Sequence, residues 1–251
     1  MATENWLIRK GHDGGIVEIG LNNGPVNALN PAFLMDFAEL IDDLGTDDAV
    51  RAIVITSPFK VFSAGLDLKE MQHFDLEQQN VLLKALTIGF LQLFACPKPT
   101  IAAVNGAVIA GGLFIALSCD FRVSSPNATV GLAEVRVGAD FPLAALEIAR
   151  ATLDLNSLRR LMLSGQPIGA EAARAAGIID EISADGDVVD LAMKIARQLT
   201  ENPPLTYASI KRQIRGSTIA LLREALETGS YAPEGGWFNE ETHAAIKRMI
   251  G

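Results

Sequence analysis

The strongest constraint on this chain is the stretch from Ala102 to Glu134, A-A-V-N-G-A-V-I-A-G-G-L-F-I-A-L-S-C-D-F-R-V-S-S-P-N-A-T-V-G-L-A-E. Ile101 to Val104 is a short apolar run bounded by Pro99 and by Asn105-Gly106. That is the pattern of a buried strand ending in a turn. Ala110-Gly111-Gly112 then opens an apolar block, Leu113 to Leu117, that can wind as a buried helix. Two glycines at a helix start leave the first backbone N–H groups uncovered. With the positive end of the helix dipole behind them, such donors can hold an oxygen that carries negative charge. The same glycines would also permit close packing of strand on helix, and the pattern alone leaves both readings open.

The flanking chain reads as a mixture of strands and helices. Trp6 to Arg9 and Ile16 to Leu21 are two short strands around a loop at residues 11–15, and residues 22–25 form a second turn. Asn30 caps a helix that starts with Pro31 and carries Phe33, Leu34, Phe37, Leu40, Ile41 and Leu44 on its core face. Residues 52–56 are continuously apolar and β-branched, as in a strand covered on both sides. Asp67 and Glu70 stand at capping-box spacing, so Asp67 reads first as a cap. A long helix is expected over residues 76–94, closed by Pro97 and Pro99, then a strand over 119–123 and helices over 143–153, 155–163 and 170–176. Residues 178–182 suggest a short strand. From Asp187 onward every element reads as helical, over 205–215, 218–227 and 238–249 among others, with Pro203-Pro204 as a break. We place a soft boundary near residue 195, with a strand-rich core at 1–195 and a helical region at 196–251.

Composition excludes several classes. A net charge of −9 argues against nonspecific nucleic-acid binding. No apolar run is long enough for a membrane helix. Met1–Asn5 has neither a basic head nor an apolar core, and Arg248–Gly251 is not a peroxisomal address, so a cytoplasmic location is expected. Cys96 and Cys119 offer no disulfide framework and no metal spacing, and read as small buried apolar groups. No metal site is expected. The absence of a phosphate-binding glycine loop gives no support for ATP or NAD. His12, His73 and His243 are scattered and read as surface residues; Lys69, Lys98 and Lys211 read as solvated; Asp120 reads as a holder of backbone at a strand start.

Three stretches together resemble the crotonase family of acyl-CoA enzymes: Pro25-Val26-Asn27-Ala28-Leu29, Phe62-Ser63-Ala64-Gly65-Leu66-Asp67-Leu68, and Ala103-Val104-Asn105-Gly106 through Gly111-Gly112 to Cys119-Asp120. The resemblance implies an α/β spiral of ββα units with a C-terminal helical region that supports homotrimers or dimers of trimers. It implies an acyl-CoA thioester as substrate and no separate cofactor. It places the backbone N–H groups of Leu66 and Gly111 as an oxyanion hole, and Ala64, Gly65, Leu66, Asp67, Leu68, Gly111 and Phe114 against the substrate.

Hydratases of this family carry one glutamate three residues beyond the middle glycine and a second twenty residues further on. Those positions here are Phe114 and Glu134. Adding water needs one group to activate it and another to deliver a proton. Phe114 can do neither. Moving a double bond needs a single carboxylate that takes a proton from C2 and returns it at C4. The pattern is similar to that of mitochondrial-type Δ3,Δ2-enoyl-CoA isomerases, which implies Glu134 as the single acid–base catalyst in the breakdown of unsaturated fatty acids; its alternative is a solvated loop residue. Asp140 departs from that pattern. It is a candidate second acid or a cap for the helix starting near Pro142. A second acid would bring back an enoyl-CoA hydratase or another crotonase-type lyase. An acyl-CoA-binding protein without activity is the alternative from another class.

Overall fold

The computed structural model describes residues 6–184 and 186–250; Met1–Asn5 and Gly251, which entered the reading of the termini, lie outside the described residues. The chain opens with an antiparallel hairpin of β1 (Leu7–His12) and β2 (Ile16–Leu21), Leu7 opposite Leu21 and His12 opposite Ile16. Gly11 and His12, expected in the loop, are part of the ladder. Gly14 and Gly15 take the positive φ that the tight reversal needs. After β3 (Ala28–Leu29), α1 (Pro31–Thr46) begins as expected, with the Asn30 side chain accepting a hydrogen bond from the Phe33 amide at 2.8 Å. Its buried face is that read from the sequence, with Leu40 half-buried at the edge.

Next come β4 (Ala52–Thr56), β5 (Val61–Ser63), β6 (Gly65–Leu66), α2 (Leu68–Met71) and α3 (Leu76–Ala95). Asp67 caps α2, accepting from the amides of Lys69 and Glu70, while the reciprocal capping box forms one helix later between Asp75 and Gln78. The organising stretch contributes β7 (Thr100–Val104), β8 (Ala107–Ile109), α4 (Gly111–Ser118), β9 (Phe121–Ser124) and β10 (Thr129–Gly131). Then follow α5 (Glu134–Val137), α6 (Leu143–Thr152), α7 (Leu155–Ser164), β11 (Ile168–Gly169), α8 (Ala170–Ala175) and β12 (Glu181–Ile182). The chain ends in α9 (Val188–Thr200), α10 (Pro204–Thr228) and α11 (Thr242–Ile250).

Strand pairs alternate between two sheets. The larger has the order β1-β2-β4-β7-β9-β12 and is parallel from β2 onward; the smaller has the order β11-β10-β8-β5. β4 and β5, β7 and β8, and β9 and β10 each give one strand to each sheet before the chain turns into helix. This is the expected ββα spiral. The sequence reading does not set Ala107–Ile109 apart as a strand, because three residues between two glycine turns are too few to show a period. The larger sheet is covered on both sides. Ile19, Ile53, Ile55 and Val104 face the main core, while Ile16, Val54, Ile101 and Val123 face Val188, Ala192 and Met193 of α9. Burial on both faces is why β4 and β7 read as unbroken apolar runs. Residue 195 lies inside α9, which packs on this sheet.

The C-terminal helices differ from expectation in three ways. The two helices read at 205–215 and 218–227 are one helix, α10. Gly216 keeps an ordinary helical φ and faces open space, so a weak helix former is tolerated there without ending the helix. The last helix starts at Thr242 rather than Phe238, because residues 237–241 are held by contacts described below. Lys211 is buried, 7% exposed, and donates to Asp120 at 2.8 Å and to the Lys98 carbonyl at 3.1 Å. Asp120 also accepts from Tyr207 and the Thr100 amide and pairs with Arg215 at 3.1 Å. Arg215 in turn donates to the carbonyls of Phe94, Ser118 and Cys119. Asp120 therefore holds more than local backbone: it fastens α10 to the ends of β7 and α4.

Candidate active site

The two glycine motifs converge because the spiral brings β6 against the start of α4. Asn27 is fully buried with φ 49°. Its side chain donates to the Phe62 carbonyl at 2.8 Å and to Ser57 Oγ, and accepts from the Asn23 amide. Ser63 Oγ donates to the Asn27 carbonyl at 2.8 Å and accepts from the Gly65 amide. The Pro25–Leu29 stretch is thus a brace for the 63–66 turn. Gly65 has φ +82°, and a Cβ there would sit 3.0 Å from Ala110 Cβ, the Gly111 nitrogen and the Ile109 carbonyl. Only glycine lets these backbones touch.

Both glycines permit close packing: a Cβ on Gly111 would lie 2.9 Å from Leu29 Cδ1. On Gly112 it would lie 2.5 Å from the Ser63 carbonyl oxygen. Gly111 is the first residue of α4, so its amide has no intrahelical acceptor. Ala110 before it takes φ 49° and ψ −124°, a conformation that side chains disfavour. Its amide is held by the Gly131 carbonyl at 2.9 Å. That bond ties the opening of α4 to β10, three residues before Glu134.

Glu134 is the first residue of α5 and is 7% exposed. The solvated-loop alternative is therefore wrong: the turn tucks this carboxyl inward. Among the described residues, Oε2 has no hydrogen-bond partner. Burial pushes its pKa from the ordinary 4.5 to about 7, against a smaller opposing pull from the amides of Glu134 and Ala133. The carboxyl borders a cavity of about 110 Å³. Ala64, Leu66, Leu68, Gly111, Phe114 and Glu134 all line it. Phe114 is 1% exposed and packs against the rings of Phe90 and Phe141. Among the described residues, Glu134 is the sole ionisable side chain in the lining.

Gly65 is buried beside this wall and Asp67 caps α2 from an exposed position; neither borders the cavity. Asp140 is exposed and outside the lining, and α6 has no side-chain cap. Neither role read for it, second acid or cap, matches its position: the turn after Gly138 directs its carbonyl, not its carboxyl, inward. Leu86 and Phe90 of α3, Ala145 of α6, Trp237 and Met249 also form the wall. The sequence marks α3 only as a long helix, with nothing to show which of its residues face the cavity. For Trp237 the one local sign is Gly235-Gly236 before it.

Among the described residues no group of three or more His, Cys, Asp or Glu side chains is placed to hold a metal ion, and no helix is long and apolar enough to cross a membrane. Both cysteines are buried and free, and burial raises the Cys119 thiol to about 12, which leaves it inert.

Comparison with known proteins agrees with this geometry. A family model described as enoyl-CoA hydratase/isomerase matches residues 11–232. A putative enoyl-CoA hydratase of Thermus thermophilus is 32% identical over 88% of this chain and 86% of its own length. A probable enoyl-CoA hydratase of Bacillus subtilis is 30% identical over 79% of this chain and 78% of its own. The structure of a Mycobacterium tuberculosis enoyl-CoA isomerase is 31% identical, with a TM-score of 0.81 over 88% of this chain and 96% of that one. Human mitochondrial Δ3,Δ2-enoyl-CoA isomerase shares the fold, with a TM-score of 0.86 over 98% of this chain and 96% of that chain, at 24% identity. The match runs through nearly all of the spiral and through both glycine motifs, and the chain belongs to the enoyl-CoA hydratase/isomerase family.

Proposed function

We propose that the protein is a Δ3-cis/trans to Δ2-trans enoyl-CoA isomerase in the breakdown of unsaturated fatty acids. One observation carries the reading: a single buried carboxyl, Glu134, borders an apolar cavity in which Phe114 fills the place of a second acid. The thioester oxygen of the acyl-CoA accepts hydrogen bonds from the Leu66 and Gly111 amides. The Glu134 carboxylate removes a proton from C2, and the electron pair delocalises as a dienolate onto that oxygen. The protonated Glu134 then delivers the proton to C4, which leaves the double bond between C2 and C3. Fixed donors stabilise the dienolate more than the ground state, and loss of one raises the barrier by about 2.7–4 kcal/mol in comparable sites. A carboxyl with a pKa of about 7 is matched to both halves of the shuttle at neutral pH. The Mycobacterium tuberculosis relative carries both names, enoyl-CoA isomerase in one structure and probable enoyl-CoA hydratase in another, so the reading rests on the lining of the site.

Hydration of 2-enoyl-CoA is the second reading, favoured by the hydratase names of several relatives. It requires a further group to handle water, and the lining offers no second acid among the described residues. We also propose a cytoplasmic homotrimer or dimer of trimers, with residues 196–251 carrying the assembly surface. The exposed Leu205, Ile210 and Ile214 on α10 support that role.

The test is the purified protein with a 3-enoyl-CoA and, separately, a 2-enoyl-CoA. Conjugation of the first without loss of conjugation in the second is expected. Fast hydration of the second would replace the isomerase reading. Tight CoA binding with no turnover of either would point to an acyl-CoA-binding protein.

A further inference from the structure

Gln79 is a polar residue on the buried side of α3, 8% exposed, and every polar atom of its side chain is engaged. Oε1 accepts from the amides of Trp237 and Phe238 at 2.8 and 3.2 Å, and Nε2 donates to the Phe74 carbonyl at 3.1 Å. Gly236, at φ +88°, makes this approach feasible: a Cβ there would come within 2.9 Å of Gln79 Oε1. Trp237 is thereby clamped at its backbone. Its ring lines the cavity, and its indole N–H donates to the Asp140 carbonyl at 2.7 Å. Phe238 forms an antiparallel bridge with Ala139, and Thr242 Oγ1 donates to the Gly138 carbonyl. The amide of Ala139 closes back on the carbonyl of Glu134 at 3.1 Å. The segment after Glu134 is therefore pinned from outside by residues 237–242, and those are pinned by Gln79.

We infer that Trp237, clamped by Gln79, is a positioning residue for Glu134: it holds the 134–140 turn so that the carboxyl stays aimed into the apolar cavity. Sequence distance hides this. Gln79 lies on α3, Glu134 on α5 and Trp237 in the loop before α11, and nothing in the spacing links them. The charged groups on Glu134's own helix and on the helices packed against it are Arg136, Arg159, Arg160, His243, Lys247 and Arg248, and all are exposed. What Glu134 senses is therefore the seal rather than a neighbouring charge.

The kinetic part of this inference rests on the isomerase reading; the structural part does not. The test uses full-length protein with Trp237→Phe, which keeps a ring and loses the N–H, and Gln79→Met, which keeps bulk and loses the acceptor. The readout is the carbon-13 titration of the Glu134 carboxyl, assigned by its loss in Glu134→Gln. Water reaching a loosened turn should lower the titration midpoint in both variants by about one pH unit or more. With 3-enoyl-CoA, kcat should fall by roughly tenfold or more while KM changes less, as for a misplaced catalytic group. A merely structural role would lower Tm and leave the Glu134 midpoint where it is in the parent protein, and that result overturns the proposal. Should Gln79→Met fail to fold, Trp237→Phe still decides. Absence of isomerase turnover in the parent would refute the function and leave the titration result standing.

Discussion

Replacing Glu134 by Gln removes one titration and keeps the shape of the side chain. The folded protein holds this carboxyl at a pKa of about 7, against an ordinary 4.5. Between those values the folded state keeps a proton that the unfolded chain has already released. Stability contributed by the neutral carboxyl is therefore complete below pH 4.5 and is lost as pH rises to about 7. At about 1.4 kcal/mol per pH unit, the loss amounts to about 3 kcal/mol. The Gln variant does not titrate. Its unfolding free energy relative to the parent should thus rise by about 3 kcal/mol between pH 4.5 and pH 8, or about 6–12 °C in Tm for a chain of this size. The amide's own burial cost is constant with pH and drops out of this difference. Urea or thermal unfolding of both proteins at several pH values, at one protein concentration, measures it. A gap that stays flat with pH would mean that Glu134 titrates as it does in water, and would refute the burial argument.

The same substitution should abolish isomerisation, whereas Asp140→Asn should keep parental turnover and stability within about 0.5 kcal/mol, since its carboxyl is exposed and outside the cavity. Turnover assays on both variants check this, and equal losses would restore a two-acid mechanism. Gly112→Ala places a methyl 2.5 Å from the Ser63 carbonyl oxygen. It should cost about 1–3 kcal/mol in denaturant unfolding and lower kcat by roughly 100-fold or more as the Leu66 and Gly111 amides are displaced. Asp120→Asn leaves the buried Lys211 and the half-buried Arg215 without their counter-charge, and should lower the unfolding free energy by about 3–5 kcal/mol in urea titrations.

Local signals carried much of the architecture. Turn residues and apolar runs located β4, β7 and α3 to within a residue or two, because glycine, proline and unbroken apolar runs restrict the backbone wherever they occur. The Asn30 cap and the face of α1 were legible for the same reason. Elements without such punctuation were not. β8 has three residues, too few to show a period of its own, and α10 runs through Gly216 because a helical glycine in open space weakens a helix without ending it.

By itself, the sequence determined which side chains stand at which steps from the start of α4. The spacing from Gly111 to Phe114 to Glu134 sets one acid and one aromatic ring at defined steps from a helix start, and covalent connectivity preserves those steps in any fold. Tertiary structure alone decided the state of those groups. Glu134 has a raised pKa because α3, α6 and the C-terminal segment exclude water from it. Asp140, six residues later, faces solvent because the turn at Gly138 reverses the chain. Lys211 is buried because Asp120, far away in the chain, supplies its counter-charge. Desolvation and ion pairing depend on which distant residues share a neighbourhood, and no local pattern encodes that.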